Sequence, residues 1–203
     1  MTAVLVSLGL VLHPIPTAGF EEQASVLSAT PLWGPIHVAI AFGFVLCVLG
    51  CLLVLVGGGP SANEWRGSLC WGAMAVGMLF FQGVALINGF VMHALAPLTE
   101  QGQDRALYDA FNRLLVGDGW MGNPLFLVGL TGVAFLEVRH RAVGQPRWLA
   151  WSGLAAAILS WGRGVGSATG LYFLNVLILA NVPAFVWLGL YGLRISGLAR
   201  QAR

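Results

Sequence analysis

Long apolar runs separated by short polar turns recur along this chain, and their lengths predict helices that cross a membrane. A spanning helix needs about 20 apolar residues to cover about 30 Å of hydrocarbon. The run from Trp33 to Val56 contains no charged residue and stops at Gly57 to Pro60, a GGGP sequence that ends helices. Ser68 to Leu95 is longer, about 40 Å at about 1.5 Å per residue, so it must tilt or protrude. Asn123 to Val138 and Trp148 to Trp161 are shorter and are joined by the polar turn RHRAVGQPR. The last run extends from Gly170 to Leu193, with a kink expected at Pro183. The opening segment TAVLVSLGLVLH offers only about 12 residues, roughly 18 Å of helix. No basic stretch precedes it and no small-residue cleavage site follows, so it reads as a short first helix rather than a signal peptide.

The predicted architecture is therefore an all-α transmembrane bundle forming one domain over residues 1–203, with spans at 2–14, 33–56, 68–95, 123–138, 148–161 and 170–193. If the first segment does not cross, five spans remain. Two longer loops, Pro14 to Leu32 and Pro97 to Gly122, fall on one side. Within the second, Leu107, Phe111, Leu114 and Leu115 recur at helical spacing opposite Asp104, Arg105, Asp109, Asn112 and Arg113. This pattern predicts an amphipathic helix at 103–116, lying along the membrane surface or capping the bundle. The glycine-rich WGRGVGSATG lacks the lysine and preceding strand of a phosphate-binding loop. It reads as a tight helix-to-helix connection, or as a close helix contact through Gly162, Gly166 and Gly170.

Composition supports the membrane reading. Hydrophobic residues make up 58% of the 203 and charged residues only 9%, against roughly a quarter charged in soluble domains. The net charge of +2 forms no basic stripe, which removes the electrostatic footprint of nucleic-acid binding. All ten cationic side chains are arginine, so Schiff-base and P-loop lysine chemistry are excluded. Seven arginines (Arg66, Arg139, Arg141, Arg147, Arg194, Arg200 and Arg203) fall on one side of the predicted bundle. The other side has Arg105, Arg113 and Arg163 together with six carboxylates. The positive-inside rule then places both termini in the cytoplasm. Trp33, Trp65, Trp120, Trp148 and Trp161 lie near span ends, as an interfacial aromatic belt requires. Cys47, Cys51 and Cys70 lie inside apolar runs and read as packing residues.

Three histidines carry the candidate chemistry. His13 ends the first span, His37 lies one turn into the second, and His93 is near the end of the third. Alternating span direction brings all three to the outer boundary of the hydrocarbon. Neutral imidazole is a common metal ligand, and two facing imidazoles can hold a haem iron. The candidate metal ligands are His13, His37, His93 and Glu21, and the candidate tetrapyrrole contacts are His37, His93 and Arg163. Arg163 would meet haem propionates or a lipid phosphate. The competing structural role for each histidine is an interfacial anchor or an interhelical hydrogen bond. Gln82, Ala85 or Leu86, Gly89 and His93 form a polar and small-residue stripe that predicts a helix-facing surface. Asn88, Asn175 and Asn181 read as interhelical bonding groups, and His140 stands apart in the cytoplasmic turn.

The order LHPIP, then LWGPIH opening the second span, then QPRWLAWSGLAAA opening the fifth, resembles a broad group of poorly characterised bacterial six-helix integral membrane proteins. The resemblance implies a cytoplasmic-membrane location and a six-helix bundle, and it implies no activity. Together these features suggest an accessory or structural subunit that docks other membrane proteins in the lipid bilayer, with an outward histidine cluster for a tetrapyrrole or transition metal. An intramembrane metal-dependent hydrolase is the alternative. Transport of a small solute or lipid lacks the mid-membrane charges or internal repeat that it normally shows.

Overall fold

The computed structural model describes residues 2–13, 15, 20–57, 60–140, 146–169 and 172–201. Among these, every regular element is helical and none is a strand. Helices α1 (Thr2–Leu12), α2 (Phe20–Ala29) and α3 (Trp33–Gly57) come first. After a short turn at Pro60–Ala62, α4 (Trp65–Leu86) runs through a π-helical segment, Ile87–Met92, into α5 (His93–Glu100) without a break. Helices α6 (Arg105–His140) and α7 (Arg147–Thr169) follow, then a 3₁₀ stretch, Tyr172–Asn181, and α8 (Val182–Gln201). Among the described residues, four segments are long and apolar enough to cross a membrane: Trp33–Gly57, Trp65–Glu100, Arg105–Arg139 and Val176–Gly197.

Helix α1 covers about 16 Å, half the hydrocarbon thickness, and packs against α3 and α8. The short-helix expectation thus holds for its length and packing. The centre of the bundle is the α4–α6 contact, where backbones touch. A Cβ on Gly77 would lie 2.6 Å from the Phe126 amide nitrogen, and one on Gly129 would lie 2.5 Å from the Cys70 carbonyl oxygen. Small residues permit this approach, as in membrane helix pairs generally. Around it Met74, Met78, Phe126, Leu130 and Phe185 form the main core, and all are essentially inaccessible. A smaller core of Ala24, Leu27, Trp33, Met92, Ala96 and Tyr108 lies under α2.

Several boundaries differ from the sequence reading. The amphipathic 103–116 segment and the 123–138 span are one helix of 36 residues, with Pro124 inside it. The α4–α6 contact holds the chain helical through a residue that lacks an amide hydrogen. Pro97 likewise does not end the helix that contains it, which continues to Glu100. The loop before Leu32 contains α2, which packs on α5, and Ser28 Oγ donates to Glu100 Oε2 across that contact. The stretch read as a tight glycine connection belongs to α7 as far as Thr169, while Gly170 lies outside the described residues. Pro183 occupies the first turn of α8, just after the 3₁₀ stretch ends at Asn181, where its fixed φ suits helix entry. Trp33 leaves the aromatic belt: it is 1% exposed, whereas Trp65, Trp120, Trp148 and Trp161 remain exposed.

Candidate functional site

Two histidines meet where α1 ends and α3 begins. His13 Nε2 lies 3.1 Å from His37 Nε2, and the ring centroids are 4.8 Å apart. His37 is 3% exposed, and its Nδ1 donates to the Trp33 carbonyl one turn earlier at 2.8 Å. A carbonyl only accepts, so Nδ1 carries the proton and Nε2 of the neutral ring presents a lone pair. Two donors converge on that lone pair: His13 Nε2, and the side-chain amide of Asn88 at 3.2 Å. Trp33 closes the group, with its ring centroid 4.5 Å from His13 and 4.7 Å from His37.

The π segment of the α4–α5 helix positions Asn88. A π turn widens the helix and leaves carbonyls off the regular ladder. Here the Asn88 carbonyl accepts from Trp33 Nε1 at 3.0 Å while its side chain reaches His37. Gly89 allows α3 this close: a Cβ there would overlap His37 Cβ. The predicted small-residue stripe does face other helices at Ala85 and Gly89, both buried, whereas Leu86 is largely exposed.

These residues form part of a partly open cavity of about 330 Å³ lined by α1, α2, α3, α4, α6, α7, the 3₁₀ stretch and α8. Its apolar lining includes Ile40, Phe44, Phe81, Val84 and Phe185. Its polar lining comprises His13, His37, Gln23, Asn88, Asn112, Asn123, Arg163 and Asn181, with the indoles of Trp33 and Trp120. Among the described residues no carboxylate, hydroxyl or thiol lines it. Two buried carboxamide oxygens, Asn88 Oδ1 and Asn181 Oδ1, accept no hydrogen bond among the described residues. Buried polar atoms are ordinarily satisfied, so two orphans lining one cavity favour a place where something else binds.

The predicted site residues are only partly brought together. His13, His37 and Arg163 line the cavity. His93 does not; its Nδ1 donates to the Leu27 carbonyl at 3.0 Å and ties α5 to α2. The Glu21 side chain lies outside the described residues. Cys47, Cys51 and Cys70 are free thiols packed in the bundle. Sequence reasoning gave Asn88 and Asn181 ordinary interhelical roles and missed Asn123 and Asn112. The available signal was four carboxamides whose helices all place them at the histidine end.

The histidine geometry discriminates between candidate groups. Two imidazoles on opposite faces of a haem iron, each about 2.0 Å from the metal, lie about 4 Å apart. The observed 3.1 Å is too short for that, and His93, the other proposed axial ligand, is outside the cavity. The arrangement does not fit a bis-histidine tetrapyrrole. Adjacent ligands of one tetrahedral ion are about 3.3 Å apart, close to what is seen. A third strong donor is not at hand, since no group of three or more His, Cys, Asp or Glu converges among the described residues. No protein-family model, curated protein or solved structure matches this chain.

Proposed function

We propose that this protein is an accessory subunit of a bacterial membrane complex, with both termini cytoplasmic, that holds a small amphipathic molecule in a cavity at the outer membrane face. The single observation that carries the proposal is the cavity of about 330 Å³ in which apolar walls meet His13, His37, Asn88 and Asn181. That size is at the lower end of ligand pockets, which combine hydrophobic walls with a few polar groups that fix orientation. Among the described residues the lining supplies donors and acceptors but no carboxylate, hydroxyl or thiol, which favours binding over hydrolysis.

The test is to purify the protein from its native membrane in mild detergent and extract it for mass spectrometry. A small molecule at near one per chain is expected in the wild type. It should be absent from Ala85→Phe, which places a ring in the cavity while retaining an apolar side chain. A wild-type protein that carries nothing, and gains no thermal stability from any membrane extract, would remove the proposal.

The 3.1 Å His13–His37 distance favours a second reading, in which one transition-metal ion takes both Nε2 atoms and the Asn88 carboxamide. Such an ion would supply Lewis-acid or ligand-anchoring chemistry when bound. Metal analysis of the same preparation decides it. A stoichiometric ion lost in His13→Ala supports the second reading, and a metal-free protein retires it.

A further inference from the structure

Among the described residues, Arg163 is the one guanidinium in the cavity lining, and none of them supplies it with a counter-charge. Among the described residues it makes no hydrogen bond or ion pair. The carboxylate nearest in sequence to the α6 part of the lining is Asp118, and it is directed away. Its Oδ2 lies 3.0 Å from where a Gly83 Cβ would be, outside the lining. A guanidinium held among apolar walls is costly unless an anion shares the site.

Neighbouring elements set the surroundings of Arg163. Ser160 Oγ, one turn earlier on α7, donates to the Ala180 carbonyl, which brings the 3₁₀ stretch and Asn181 alongside. Gly164 faces Leu127 of α6, one turn from Asn123. Asn123 and Asn181 are 7% and 6% exposed, and both line the cavity with Arg163. Asn181 Oδ1 has no partner among the described residues. The same cavity is lined by Phe44, Phe81 and Phe185, and the Phe81 and Phe185 rings pack tilted against Phe44 at centroid distances of 5.6 and 5.8 Å.

We infer that the cavity takes a single-chain anionic amphiphile, its carboxylate or phosphate head on Arg163 with Asn123 and Asn181, and its apolar body on the phenylalanine rings. Guanidinium binds both head groups through paired N–H donors, so geometry at the head is shared between them. The inference rests on the binding role proposed above and adds the charge of the ligand.

The experiment is isothermal titration calorimetry of the full-length protein in nonionic detergent with four probes of equal chain length: decanoate, decyl phosphate, decanamide and decan-1-ol. One of the two anions is expected to bind one per chain at least tenfold more tightly than both neutral probes. Which anion wins identifies the head group as carboxylate or phosphate. Arg163→Gln should abolish that preference, and Arg163→Lys should retain part of it. Neutral probes that bind the wild type as tightly as the anions overturn the anion assignment while sparing the binding role. No binding by any probe removes both. Gel filtration and melting of each variant separate lost folding from lost recognition. An Arg163→Gln protein that folds, binds decan-1-ol and still prefers the anion overturns the assignment to this residue.

Discussion

The two ends of the bundle treat buried polar groups in opposite ways. At the histidine end, carboxamides, imidazoles and a guanidinium line a void, and two buried carboxamide oxygens have no partner among the described residues. At the other end, polar groups are packed into a directional chain. Trp71 Nε1 donates to Ser61 Oγ at 3.0 Å, and Ser61 Oγ and Tyr191 Oη are 3.0 Å apart. Tyr191 donates to Glu137 Oε1 at 2.6 Å, which leaves Ser61 as the donor to Tyr191. All four residues are buried, and they pin the Pro60–Ala62 turn to α4, α6 and α8. Glu137 Oε2 is the single loose end among them. Polar groups bonded to each other hold helices together, whereas polar groups aimed at a void are available to a ligand.

This contrast predicts that substitutions at the Glu137 end cost stability and spare binding, and that those at the histidine end do the reverse. The largest effect is expected from Gly67→Ala. Its Cβ would overlap the Ser61 carbonyl, so the turn must move and the whole chain shifts with it. A loss of about 3 kcal/mol is expected in detergent unfolding. A Gly67→Ala protein as stable as the wild type would show that the turn is not held as described.

Tyr191→Phe comes next. It removes the central hydroxyl, so the Ser61 hydroxyl hydrogen loses its acceptor and Glu137 Oε1 its donor, for an expected loss of about 1.5 kcal/mol by thermal or denaturant unfolding. Ligand content measured by mass spectrometry should not change. Asn181→Leu has the opposite signature. Replacing a buried carboxamide that makes no hydrogen bond among the described residues with an apolar side chain of similar size should leave the ligand-free protein equal or more stable, by up to about 1 kcal/mol. It should also weaken ligand retention, so stability and binding move in different directions. Asn181→Leu that destabilises the ligand-free protein would place Asn181 with the structural set and blur the contrast. The smallest effect is expected for Glu137→Gln, which keeps an acceptor for Tyr191 and should change stability by less than about 0.5 kcal/mol.

The sequence carried part of the site. Alternating span direction correctly brought His13 and His37 to one end, because helix direction follows from chain order. Rotation about each helix axis does not follow from it, and His93 shows the consequence. It shares the depth of the other two, yet it turns toward Leu27 of α2, a helix that the apolar pattern had merged into a loop. Asn88 depends on the π segment, whose wider turn no residue in INGFVM announces. Arg163 was legible as a cation on the histidine side. Its isolation from carboxylates emerged only when Asp118 was seen to pack on Gly83.

What the chain determines by itself is its helical, membrane-suited character. Apolar runs of sufficient length, sparse charge and well-placed helix breakers are local properties, and they need no partner to act. Tertiary packing decided which of these helices merge, since Pro124 and Pro97 are carried inside helices that neighbouring surfaces hold in place. It also decided which polar residues are satisfied and which face a void. That property belongs to distances between helices, set by the close contacts at Gly77, Gly89 and Gly129, and it exists only once the bundle has formed.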